Sequence, residues 1–137
     1  MFFKNKEVIQ KNELAKVAAL LIHTAKIDEN FSEKEEIIIK KTISDLGAKK
    51  EDIEKILNEG KKIENNTNQI LDFTKKVKNM NEFEKIKIIE SLWRIIYSNE
   101  EADIYETNLM RRLAGLLYID SNIMGSIKEK IKKENIK

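Results

Sequence analysis

The chain is 137 residues long, a size that suits one domain and buries roughly two-thirds of the surface exposed by the unfolded form. It has no Pro, no Cys, one His and four Gly, and 36% of its residues are charged, for a net charge of +2. These values exclude a disulfide framework, a thiolate nucleophile, a Cys-based zinc or iron–sulfur site, the paired Glu-x-x-His ligands of a bundle di-iron centre, and a Gly-rich phosphate cradle.

Helical periodicity dominates and strand alternation is nowhere sustained, which predicts an all-α fold: one compact bundle of about seven helices spanning residues 1–137. Asn12 is the expected cap of a first helix that runs to about Asp28. The box Ser32-x-x-Glu35 opens a second helix, and Gly47 closes it. A third covers about Lys50 to Glu64, with Gly60 on its Ile53, Ile56, Leu57, Ile63 stripe where another helix can approach closely. Polar Asn65-Asn66-Thr67-Asn68 breaks the chain before a short fourth helix, Gln69 to Asn79. The fifth, about Glu82 to Ser98, is the most apolar and places Trp93 in the core. Asp103-x-x-Glu106 is a second capping box and opens the sixth, which ends near Tyr118; Asp120 or Ser121 caps the seventh.

No segment approaches the ~20 apolar residues of a membrane span, and Met1-Phe2-Phe3 runs straight into Lys4, Lys6 and Glu7, unlike a signal peptide. The expected location is the cytoplasm. Lysine supplies 23 of the 26 basic residues, beside many Ile and Asn, the signature of A/T-rich codons. The lysine pairs (40–41, 49–50, 61–62, 75–76) are bracketed by acids as on a solvated helical face, so no nucleic-acid partner is expected. The three arginines, Arg94, Arg111 and Arg112, all fall in the second half. Arg94 is expected to pair with Glu90 one turn away. His23 falls on the polar side of the first helix and is expected to be exposed, leaving Ser44, Ser91 and Ser126 without a catalytic base.

A shift of 71 positions lays Leu21 on Leu92, Asp28 on Asn99, Ser32 on Asp103, Glu35 on Glu106 and Leu46 on Leu117. Two repeat halves, about 14–47 and 85–118, each hold a helix, an acidic turn and a second helix opened by a capping box. At about 100° per residue, Asp28 lies on the Leu14, Val17, Ala18, Leu21, Ala25 stripe. Glu35 heads Ile38, Ile39, Thr42 and Leu46; Glu106 heads Leu109, Met110, Leu113 and Leu117; Asn99 ends the line of Leu92 and Ile95. Three acids and an amide therefore stand at the inward ends of four helices, where burial without a partner is costly. One arrangement has them cap their own helices and turns. The other has all four meet around a hard cation, Ca²⁺, Mg²⁺ or Mn²⁺, between the halves.

The segments 20–35 and 91–106, with Leu92-Trp93-Arg94, and Arg111-Arg112-Leu113-Ala114-Gly115-Leu116-Leu117 resemble the TerB-like family of tellurite-resistance proteins, in particular its free-standing bacterial members. A related domain precedes the J domain in DnaJ-type membrane co-chaperones. The resemblance covers nearly the whole chain and implies an all-helical bundle with a metal site at the acids of Asp-Gly-x-[hydrophobic]-[Ser/Thr/Asp]-x-x-Glu. By position it implicates Asp28, Glu35, Asn99 and Glu106. The sequence departs from that pattern at Glu29 and Glu100, which replace Gly, and at Asn99, which replaces Asp and removes one negative charge from the site. The implied function is a non-enzymatic stress or tellurite-resistance module acting through contact with a protein partner. The alternative is a plain helical adaptor, or a co-chaperone-like docking domain, that binds no metal and uses its acids only as caps.

Overall fold

The computed structural model describes residues 11–26, 33–66, 74–75, 77–98 and 104–136. Among them are six α-helices: α1 (Lys11–Ala25), α2 (Glu33–Asp45), α3 (Ile53–Asn66), α4 (Glu82–Tyr97), α5 (Ile104–Leu116) and α6 (Ser121–Ile136), with a 3₁₀ turn at Lys50–Asp52 leading into α3. The described residues contain no strand, so the fold is all-α. Of the short helix expected at Gln69–Asn79, Thr74, Lys75 and Val77 are helical. No helix among the described residues is long and apolar enough to cross a membrane.

Two helices form the centre. Helix α1 packs against α2, α3 and α4, and α4 packs in turn against α1, α2 and α6. The single apolar stripe expected for α1 is therefore too narrow. Ala15, Ala19, Leu20 and Ile22 are buried along with Leu14, Val17, Ala18, Leu21 and Ala25, because three neighbours cover the helix from different sides. Small alanines make that possible. Gly60 of α3 lies against α1 so closely that a Cβ there would stand 2.7 Å from Ala18 Cβ and 3.1 Å from the Ala15 carbonyl oxygen. On α4, Ile88, Ile89, Leu92, Trp93, Ile95 and Ile96 are buried. A hydroxyl pair in this core joins Thr42 of α2 to Ser91 of α4; Thr42 Oγ1 also donates to the Ile38 carbonyl at 2.8 Å.

The helix ends follow local chemistry. Gly47 adopts φ 114°, and the bonds Gly47 N–H to Ser44 O (3.0 Å) and Ala48 N–H to Ile43 O (3.1 Å) close α2 in a Schellman motif. Asp120 caps α6 by accepting from Asn122 N–H at 2.7 Å. Helix α4 opens with a full capping box: Asn81 accepts from Glu84 N–H at 2.8 Å, and Asn81 N–H donates to the Glu84 carboxylate at 3.3 Å. Asn12, the expected cap of α1, lies inside that helix instead. Ser32 and Asp103, the expected caps of α2 and α5, fall outside the described residues.

The 71-residue interval of the sequence recurs between Lys50, where the 3₁₀ turn into α3 begins, and Ser121, where α6 begins. The interval reaches the helix ends too: Gly47 corresponds to Tyr118, which has φ 58° and closes α5 with Ile119 N–H to Ala114 O at 2.9 Å. A tyrosine in this left-handed conformation is strained by roughly 1–2 kcal/mol, and the residue is 73% exposed, with Lys78 Nζ at 5.6 Å from the ring centroid. Tyr118→Gly is therefore expected to raise the unfolding free energy by up to about 1 kcal/mol in urea titration. A loss of stability would show that the ring contributes more than its backbone costs.

Surface charge is paired as the lysine-and-acid alternation suggests. Lys40 meets Glu54 at 2.6 Å and Glu36 at 3.4 Å, and Lys41 meets Asp45 at 3.2 Å. Exposed pairs of this kind contribute about 0–1 kcal/mol, whereas each buried Leu or Ile contributes about 1.5–3 kcal/mol, so the apolar core holds the bundle.

Candidate functional site

Of the four side chains expected to converge, the described residues include one. Glu35 lies in the first turn of α2 and is fully buried, heading Ile39, Thr42 and Ile43 on the face that enters the core; it is not without a partner there. Asp28 and Asn99 fall outside the described residues, and the side chain of Glu106, which lies on α5, does so too. Among the described residues no three of His, Cys, Asp and Glu come together as a metal-holding group.

Burial sets Glu35 apart from an ordinary capping-box glutamate. Glu84 stands in the first turn of α4, three residues after its cap, and its box hydrogen bonds lie in an exposed region. Glu35, also in a first turn, is at 0% exposure. A carboxylate this deep is stable only with its oxygens partnered, and Glu35 has such a partner.

The end of α1 holds a polar cluster that the sequence patterns did not reveal. Glu64 of α3 is 8% exposed and takes Lys26 Nζ on one carboxylate oxygen at 2.8 Å, with His23 Nδ1 at 3.3 Å from the other. His23 is thus half-buried against α3, not on the open polar side of α1. The signal was available: Glu64 continues the Leu57, Gly60 stripe at i+7 and i+4, so it had to face α1. The Lys26 ammonium, just past the last turn of α1, also meets the negative end of its dipole.

The arginines are arranged differently from expectation. Arg94 grips Glu134 of α6 with a two-point fork, Nε to Oε1 and Nη2 to Oε2 both at 3.1 Å, while Glu90 is taken by Lys130 at 2.7 Å. The hydrogen bond to Glu134 raises the Arg94 pKa above its ordinary value. Arg111 and Arg112 are exposed and make no ion pair among the described residues.

The sequence profile described as "Tellurite resistance protein TerB" matches residues 14–129. The chain belongs to the TerB family. The match begins in α1 and ends within α6, so all six helices belong to the TerB domain in whole or in part. Comparison with curated proteins and with solved structures gave no match.

Proposed function

We propose that this TerB domain is a non-enzymatic, cytoplasmic module that works by contact with a protein partner. In this reading its two halves, helical hairpins at about 14–47 and 85–118, are tied by a divalent cation held by Asp28, Glu35, Asn99 and Glu106. Family membership supports the stress-resistance setting, and the burial of Glu35 in the first turn of α2 carries the cation reading. When bound, such an ion would neutralise the acids and cross-link two turns that lie 71 residues apart. The residues themselves supply oxygen only, from three carboxylates and one amide, which favours a hard ion over zinc or copper.

Calorimetric titration with Ca²⁺, Mg²⁺ and Mn²⁺ tests this. The wild-type chain is expected to bind one ion, Glu35→Ala and Glu106→Ala to bind none, and Asn99→Asp to bind roughly an order of magnitude more tightly through its added charge. Absence of heat with all three ions would leave the acids as caps and overturn the cation reading. Unchanged affinity in Asn99→Asp would remove Asn99 from the ligand set.

A further inference from the structure

Between α4, α5 and α6 lies a small cleft of about 200 Å³, lined in part by Trp93, Met110, Arg111, Met124, Gly125 and Lys128, with no acidic residue among the described residues of its wall. Trp93 is 2% exposed, and its indole N–H is the one buried side-chain donor without a hydrogen-bond partner among the described residues. Such an orphaned donor costs about 1–3 kcal/mol, which an incoming acceptor would recover. Two cations line the same cleft. Arg111 has no ion pair among the described residues, and Lys128 Nζ lies 5.4 Å above the Trp93 ring centroid, where its flexible stem can swing aside. Gly125 stands in the interior of α6, and a Cβ there would meet nothing within 4 Å. A glycine at such a site lowers helix stability by about 1 kcal/mol relative to alanine and relieves no clash, but it keeps the cleft open.

We propose that this cleft binds the C-terminal residue of a partner polypeptide, taking an apolar side chain between the two methionines and the free carboxylate at Arg111, Lys128 and the Trp93 N–H. The volume suits one Leu-sized side chain and is too small for a long acyl chain. In a C-terminal residue the carboxylate and the side chain leave the same Cα, so one compact cleft can hold both; an internal Asp or Glu would place its charge and its apolar neighbour on different residues. The two methionines adapt to different apolar shapes, and Arg presents a fork matched to a carboxylate. This inference rests on the protein-contact reading above and is independent of the cation.

The chain has a single Trp, so the single indole ¹⁵N–¹H resonance reports on the cleft directly. In EDTA-treated protein, an acetylated hexapeptide ending in Leu with a free carboxylate is expected to shift that resonance and to saturate. The C-terminal amide of the same peptide should bind at least tenfold more weakly, and Arg111→Gln should weaken the acid form by about tenfold. Gly125→Leu, whose side chain fills open space and leaves the helical circular dichroism intact, should abolish binding. An unmoved indole resonance at millimolar peptide, equal binding of acid and amide, or undiminished binding by Gly125→Leu would each overturn the proposal. Octanoate binding as tightly as the peptide would overturn the commitment to a polypeptide. Each of these results leaves the ion titration unaffected, so failure at the cleft is distinguishable from failure of the cation site.

Discussion

Gly60→Ala is expected to lower the unfolding free energy by about 1–3 kcal/mol, although alanine is the better helix former by about 1 kcal/mol. The added methyl would sit 2.7 Å from Ala18 Cβ and 3.2 Å from the Ala19 backbone nitrogen. Neither is the end of a flexible side chain, so α1 and α3 must move apart, and the close packing around Leu14, Leu57 and their neighbours is lost with them. Gly115→Ala on α5 is the control: its Cβ meets nothing within 4 Å, and the same substitution should stabilise by about 0.5–1 kcal/mol. Urea denaturation of both variants measures the difference. Equal effects at the two positions would show that helix propensity, and not interhelical distance, governs Gly60.

Thermal unfolding of the wild type in excess divalent cation is expected to shift upward relative to EDTA, and the shift should vanish in Glu35→Gln. At an ion concentration 100 times the dissociation constant, binding to the folded state alone adds about 2.7 kcal/mol, which for a chain of this length is on the order of 10 °C. Gln keeps the length and hydrogen-bonding capacity of Glu but removes the charge, so the variant separates electrostatic ligation from capping. A Glu35→Gln chain that retained the full cation-dependent shift would take Glu35 out of the site. A wild type indifferent to all three ions would take out the site itself.

What the sequence showed correctly was local. Gly47 and Asp120 could be placed because a helix end is set by the few residues around it, and Gly60 because an interruption on an apolar stripe has one physical reading. Glu35 was legible as inward-facing from the stripe it heads. The Asn81–Glu84 box escaped notice because Asn replaces the Ser or Thr of the usual pattern. His23 and Arg94 were misplaced for a different reason. Their partners, Glu64 and Glu134, lie about 40 residues away, and only the packing of α3 on α1 and of α6 on α4 brings them near. The 71-residue shift placed repeat halves at 14–47 and 85–118, and among the described residues the left-handed helix closures at Gly47 and Tyr118 stand at that interval. For the candidate site, the burial of Glu35 was anticipated, and Asp28, Asn99 and the side chain of Glu106 lie outside the described residues.

That interval of 71 residues also separates Gly60 from Ile131, which is fully buried on α6. In the first half, the third helix meets α1 through glycine against alanines. At the corresponding positions of the second half stand Ile131 on α6 and Ile86, Ile89 and Glu90 on α4, larger residues that demand a wider spacing. A symmetric homodimer must use one surface on both sides and so could not make this distinction. Joining two units in one chain releases them from symmetry. One can become the tightly closed anchor, while the other, with Trp93, Arg111 and the cleft beside them, is free to change in response to whatever it meets.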